Sequence, residues 1–341
     1  MKAITIYNHG GIEALKLADF KKPICPSDKI LIKIKACSIN HLDIWVRNGI
    51  PGLNIPLPLI LGSDASGVIE QVGSEIDSFN IGDDIIIQPG TFNKMCKKSL
   101  LGKENYSKSY GILGETENGV QAEYIVADLK NVYPKPKHLT YEEAASMPLV
   151  FMTSYQMLIK RAKLMPDETV LIYGATSGVG MAAIQIAKDL GSTVISTVGD
   201  ESKKKFAEDL GSDIVINHNL SNISNEVKKY KKSGVDVIFE HVGPDTWKHS
   251  LKSLAVGGRI VTCGATTGNL VSFDLRHLFM KQQSILGSTM ASISTFKEVI
   301  EKINTKKLAP FVDEIFKFSE IKLAHARMEN RKHFGKIVVR P

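Results

Sequence analysis

The sequence predicts an α/β chain: a doubly wound parallel sheet of six strands joined to a β-rich domain. Two observations carry this reading. From about Thr140, apolar strands alternate with helix-patterned segments, while before it short strands are separated by glycine-rich turns. The length of 341 residues suits two domains of about 100–200 residues each. Hydrophobic residues at 43% and charged residues at 23% provide ordinary globular cores.

In the first part, Lys29–Ala36 (KILIKIKA) alternates strictly, as a half-buried strand does. Gly67–Val72, Asp84–Gln88 and Glu123–Val126 are further strands, punctuated by Gly73, Gly82, Pro89 and Gly90. Thr91–Ser109 is polar and aperiodic and reads as an inserted lobe. Thr140 is an N-cap for a helix beginning Tyr141-Glu142-Glu143. Strands are then expected at Thr169–Tyr173, Thr193–Val198, Ile214–Ile216, Val235–Glu240, Gly258–Cys263 and Ser284–Ser288. Helices between them cover Val179–Leu190, Ser202–Leu210, Ile223–Lys232 and Asp245–Leu254, and Asp274–Lys281 leads into the last strand. Parallel strands need crossover connections, so this alternation means a sheet covered on both faces. The tail ends in a strand, Lys336–Arg340, and is expected to complete the first domain. The boundaries are therefore 1–148, 149–288 and a return over 289–341.

The first strand–helix turn reads Gly174-Ala175-Thr176-Ser177-Gly178-Val179-Gly180. Glycines there let backbone approach a pyrophosphate, whose charge meets amides at the helix N-terminus. The spacing is not a strict GxGxxG, and its weight comes from opening the six-strand alternation. At the end of the second strand, an acid would bind the ribose hydroxyls of NAD. The strand ends Thr197-Val198-Gly199, followed by Asp200, Glu201 and then Lys203, Lys204 and Lys205. Small residues and lysines favour NADP, with NAD as the alternative.

The net charge of +7 is spread over helix-patterned segments such as Lys228–Lys232. That pattern describes solvated faces, and no basic and aromatic stripe for nucleic acid is visible. Cys25, Cys37, Cys96 and Cys263 form no CxxC pair, and nothing resembles a secretory leader. These features predict a soluble cytoplasmic protein without disulfides. No apolar run approaches the roughly 18 residues that span a bilayer.

Several segments resemble the medium-chain dehydrogenase/reductase superfamily over essentially the whole chain. They are Asn40-His41-Leu42-Asp43, Leu61–Gly67 (LGSDASG), the glycine turn, Glu240-His241-Val242-Gly243, Val261–Gly268 and Phe334-Gly335-Lys336. The resemblance implies a Rossmann domain and a GroES-like catalytic domain with the active site in the cleft beside the Rossmann domain. It places Thr153, Gly174, Ser177, Gly178 and Val179 at the cofactor, with Lys203 near the adenosine phosphate. Val242, Gly264, Ala265 and Ser288 fall along the nicotinamide half, and Gly335 and Lys336 line the cleft.

The departures from the zinc members decide the expected chemistry. A zinc-ligating cysteine falls on Asn40, the His–Glu pair on Ser63 and Asp64, and a second cysteine near Leu149. The proton-relay hydroxyl falls on Leu42. In the lobe, four structural cysteines fall on Asn93, Cys96, Ser99 and Ser107. A zinc site needs three or four Cys, His or carboxylate ligands, so no metal is predicted at either place. Without a Lewis acid, reduction of an already polarised acceptor remains feasible. The candidate catalytic residues are Asn40, to hydrogen-bond a substrate oxygen, with His41 and Asp43 influencing proton supply. The structural alternatives are that Asn40 bonds backbone and that Asp43 caps or pairs with Arg47.

The segments GSDASG and Pro134–Ala145 are similar to the acyl-CoA ene-reductase branch. A tyrosine used by one such branch is absent from Arg47–Pro51. The expectation is a zinc-independent NADP(H) oxidoreductase acting on an activated C=C bond or a quinone. The alternatives are an alcohol or aldehyde dehydrogenase, and a weakly catalytic NADPH- and RNA-binding protein. A homodimer paired through Ser284–Thr289 is expected, with a tetramer as the alternative.

Overall fold

Strand Lys29–Ser38 is the centre of the first unit because its apolar side chains have partners on every side. Ile30, Ile32 and Ile34 enter a buried cluster with Ile4, Ile6, Ile69, Ile85, Ile87, Ile337 and Val339. Lys33 and Lys35 point to solvent, which is the alternation read from the sequence. Each fully buried Leu, Ile or Val contributes about 1.5–3 kcal/mol. The computed structural model describes all of Met1–Pro341. It divides into one unit of Met1–Leu149 with Ser292–Pro341, and another of Val150–Ala291.

In the first unit, a sheet runs Val132–Pro134, Asp84–Ile87, Asp64–Val72, Lys29–Ser38, Lys336–Arg340, Val312–Lys317, and Tyr124–Asp128 also pairs with Lys29–Ser38. The return of the chain is thus explained: Lys336–Arg340 supplies an interior strand of this sheet. Thr140 caps the helix Tyr141–Ala145, its hydroxyl accepting from Glu143 N while Glu143 bonds Thr140 N. The lobe holds only a short helix, Lys97–Leu100, and a helical turn.

The second unit is a parallel sheet ordered Ile214–Asn217, Thr193–Val198, Thr169–Ile172, Val235–Glu240, Leu254–Thr262, Ser284–Gly287. Thr193–Val198 and Val235–Glu240 have the expected limits. The Leu254–Thr262 strand begins four residues before the expected Gly258. The helix Pro148–Tyr155 was not expected. No helix is long and apolar enough to cross a membrane.

Candidate active site

Register brings the first unit's polar residues together. Ser38, ending its strand, stands opposite Asp64 on one side and Val338 on the other. Asn40, Asp64 and Lys336 therefore gather at one end of three adjacent strands. Lys336 Nζ donates to Asn40 Oδ1 and, at 3.3 Å, to Asp64 Oδ2. Asn40 Nδ2 donates to Asp64 Oδ2 at 2.9 Å, and Ser38 Oγ reaches the same oxygen at 3.3 Å. Leu149 N–H donates to Asp64 Oδ1 at 2.9 Å. Asp64, Lys336 and Asn40 are 0%, 1% and 4% exposed, so these bonds replace water almost completely. Burial lowers the Lys336 pKa, opposed by the nearby charges of Asp64 and Asp43.

Asp43 sits one helical turn into His41–Asn48. Its carboxylate accepts from Asn40 N at 2.7 Å and from Gly62 N at 3.0 Å. Its role is to cap the helix and tie it to the Gly62–Asp64 segment. Arg47 pairs instead with Glu329 at 2.5 Å and with His325 Nδ1 at 3.2 Å. His41 is half-buried, its ring edge-on to Trp45.

Burial pushes the Asp43 carboxyl up from 3.8 to about 6, against the backbone N–H groups of Asn40 and Gly62. A raised carboxyl stabilises the fold below its unfolded pKa, and that contribution is lost as pH rises through about 6. The stability difference between the wild type and Asp43→Asn should therefore change by about 2 kcal/mol between pH 4 and pH 7. Urea midpoints across that range test this, and parallel pH profiles would refute it.

In the second unit, Ser177 caps the 13-residue helix Gly178–Leu190, its hydroxyl accepting from Gly180 N at 3.0 Å. Gly174 has φ +61, which favours glycine. A Cβ on Gly180 would lie 2.1 Å from Gly174 O. The turn is therefore closed to side chains, and the helix's first amides are presented at its end. Thr153 is buried, 3.9 Å from Met290 Sδ. Lys203 lies in the turn Glu201–Lys203, where Asp200 accepts from Ser202 N. Val242 N donates to Glu240 Oε1 at 2.7 Å, Gly264 O accepts from Thr262 Oγ1 at 3.1 Å, and Ala265 is exposed.

Ser288 donates its backbone N–H to Thr262 O, while its buried Oγ has no partner. An orphaned hydroxyl and a glycine cradle suit a dinucleotide bearing a polar amide. Gly335 and Lys336 belong to the first unit, and the Lys336 ammonium turns inward to Asn40 and Asp64.

Two donor sets are unsuited to zinc. Asp64 has accepted four hydrogen bonds, and Ser63 Oγ donates to Leu113 O at 2.8 Å. In the lobe, Cys96 Sγ lies 3.0 Å from Ser99 Oγ and 3.2 Å from Ser107 Oγ, and Ser99 Oγ donates to Asn93 O at 2.7 Å. The four positions converge, but as a network of hydroxyls around one thiol.

The Ser107 and Ser99 hydroxyls pull the Cys96 thiol down to about 7, whereas burial pushes Cys263 up to about 12. Iodoacetamide should modify Cys96 with a midpoint near pH 7, and Ser107→Ala should raise that midpoint. Mass spectrometry after timed alkylation checks this; a midpoint unmoved by the substitution would contradict it.

A strand-rich domain bearing a buried polar cluster, and a doubly wound domain bearing a dinucleotide turn, together define a two-domain NAD(P)H-dependent oxidoreductase. A zinc-binding dehydrogenase model matches residues 178–305, and an alcohol dehydrogenase GroES-like domain model matches residues 26–137. The crotonyl-CoA carboxylase/reductase of Cereibacter sphaeroides is 30% identical, over 94% of this chain and 82% of that protein. The quinone oxidoreductase of Mus musculus is 32% identical, over 86% and 81%. A solved structure described as an NAD-dependent alcohol dehydrogenase superposes with a TM-score of 0.96 at 38% identity, covering both chains fully. The chain belongs to the medium-chain dehydrogenase/reductase superfamily.

Proposed function

We propose that the protein is a zinc-independent, NADPH-dependent reductase of small molecules with an activated C=C bond, such as an enal or an enoyl-CoA thioester, or of quinones. The observation that carries this is the engagement of both Asp64 oxygens, Oδ1 by Leu149 N and Oδ2 by Ser38, Asn40 and Lys336. Three of these bonds converge on Oδ2, and with Asn40 and Ser63 as poor ligands the set lacks the three Cys, His or carboxylate donors that a zinc site needs. An electron-poor acceptor needs only orientation and hydrogen bonding from the protein. The nicotinamide, when bound, supplies the hydride.

Asn40 bonds the substrate oxygen. Asp43 acts on it indirectly, fixing its backbone, and His41 is the candidate for proton supply. Ser177, Gly178 and Val179 meet the pyrophosphate, with Gly174 shaping the turn. Thr153, Val242, Gly264, Ala265 and Ser288 serve the nicotinamide half. Asp200 is engaged with the Ser202 amide, which supports NADP and a phosphate contact for Lys203.

We also propose a homodimer through the Ser284–Gly287 edge, which pairs on one side only. Exposed Val256, Leu270, Leu275, Phe279 and Met280 lie in the adjoining segments. Sedimentation showing a monomer would remove this proposal.

The test of function is oxidation of NADPH and NADH by metal-analysed protein with quinones, enals, enoyl-CoA thioesters and aldehydes, with and without zinc. Turnover of a conjugated acceptor by metal-free protein, faster with NADPH, is expected. Stoichiometric zinc, or activity confined to alcohols and aldehydes with zinc present, would overturn the reading and make the protein an alcohol dehydrogenase.

A further inference from the structure

We propose that Lys336 and Asp64 lock the Asn40 carboxamide in one orientation, so that its remaining N–H is offered to a substrate carbonyl oxygen. The proposal rests on the reading that Asn40 meets the substrate and names the chemistry it selects.

A carboxamide can usually turn over and exchange its donor and acceptor ends. Here its neighbours forbid that. The Lys336 ammonium has only donors and the Asp64 carboxylate only acceptors, so Oδ1 must face Lys336 and Nδ2 must face Asp64. A flip would set N–H against N–H and C=O against carboxylate, losing two charge-assisted bonds among buried groups.

The backbone of Asn40 is fixed as well. Its N–H is held by Asp43 Oδ2, and its carbonyl accepts from Asp43 N at 3.0 Å. Asp43 in turn is held by Gly62. The second N–H of Nδ2 is the group of Asn40 left over, having no partner within the chain. It is a donor whose direction was set before any substrate arrives.

A preorganised donor stabilises negative charge that develops on an oxygen during reduction. It suits the carbonyl of an enone, a thioester or a quinone. It offers no acceptor for a hydroxyl proton, so an alcohol substrate would need its base elsewhere. Lys336 is on this account a positioning residue, acting through Asn40.

The test uses the whole enzyme with NADP⁺ and a ¹³C-carbonyl aryl enone, read by infrared difference spectroscopy beside steady-state kinetics. In the wild type and Lys336→Arg, the carbonyl band should lie at the same lowered frequency. In Asn40→Ala and Lys336→Gln it should rise. Asn40→Ala should lose on the order of a hundredfold in kcat for conjugated carbonyls, with KM little changed. This variant should keep the Lys336–Asp64 ion pair, and circular dichroism is the check on its folding. A band unmoved by Asn40→Ala, or the same in Lys336→Gln as in the wild type, would overturn the lock. A wild-type enzyme that reduces no conjugated acceptor would instead overturn the function on which the lock rests.

Discussion

Replacing Lys336 with methionine is expected to destabilise the first unit by about 3–5 kcal/mol. Methionine fills most of the lysine's volume, so the loss is electrostatic rather than a cavity. Asp64, 0% exposed, would keep its bonds from Ser38, Asn40 and Leu149 but lose its only cationic partner. Asn40 Oδ1 would lose its donor at the same time. A buried carboxylate without a counter-charge is the expensive product, which gives the prediction a second arm. Adding Asp64→Asn to Lys336→Met should recover most of the loss, because the charge that needed a partner is gone. Asp64→Asn alone should cost several kcal/mol, leaving the lysine stranded. Urea unfolding of the three variants forms a double-mutant cycle. Single-variant losses that simply add would show that the pair has no special coupling.

This cluster also shows what sequence does not reveal. Asn40, Asp64 and Lys336 each stood out, but as members of separate motifs. The Lys336–Asp64 contact spans 272 residues, and nothing local specifies it. Register does, once Lys336–Arg340 joins the Lys29–Ser38 strand. A lysine heading the apolar run Ile337-Val338-Val339 was the available signal, since an interior strand that begins with a charge needs a partner. The resemblance instead directed Lys336 toward the cleft.

Arg47 is similar. Its spacing from Asp43 suggests an i,i+4 pair, yet Asp43 is consumed by backbone amides and Arg47 turns to Glu329.

The doubly wound sheet was more legible, because strand–helix alternation is written in consecutive residues. Its misses have local causes. Helix Pro148–Tyr155, read from PLVFMTSY, is apolar around nearly its whole circumference and so carries no amphipathic period. Leu254–Thr262 begins early because its Val256-Gly257-Gly258 stretch reads as a turn, and Gly257 does have φ +72. In the lobe, the convergence of Asn93, Cys96, Ser99 and Ser107 follows the resemblance, but the hydroxyl network among them could not be read from spacing.

The other large effect is expected from Gly180→Ala, whose added methyl is the smallest change that closes the dinucleotide turn. Helix propensity alone would favour alanine here by about 1 kcal/mol. Gly180 also lacks the left-handed backbone that would make alanine strained. The obstacle is steric: the Cβ would lie 2.1 Å from Gly174 O and 2.9 Å from Gly174 C, and both are backbone atoms that no rotamer change can move. The Gly174–Ser177 turn must open, carrying the Ser177 cap and the first helix amides with it. Forcing one extra methyl into such a contact costs about 1–3 kcal/mol. If most of that falls on the amides that meet the pyrophosphate, NADPH affinity drops about 10–100-fold. Fluorescence titration with NADPH measures it, and thermal melting without cofactor shows how much of the cost is paid by the fold instead. Unchanged NADPH affinity in a protein that still folds would place the pyrophosphate away from this turn. A matching loss of both would mean that the turn's tightness serves stability more than binding.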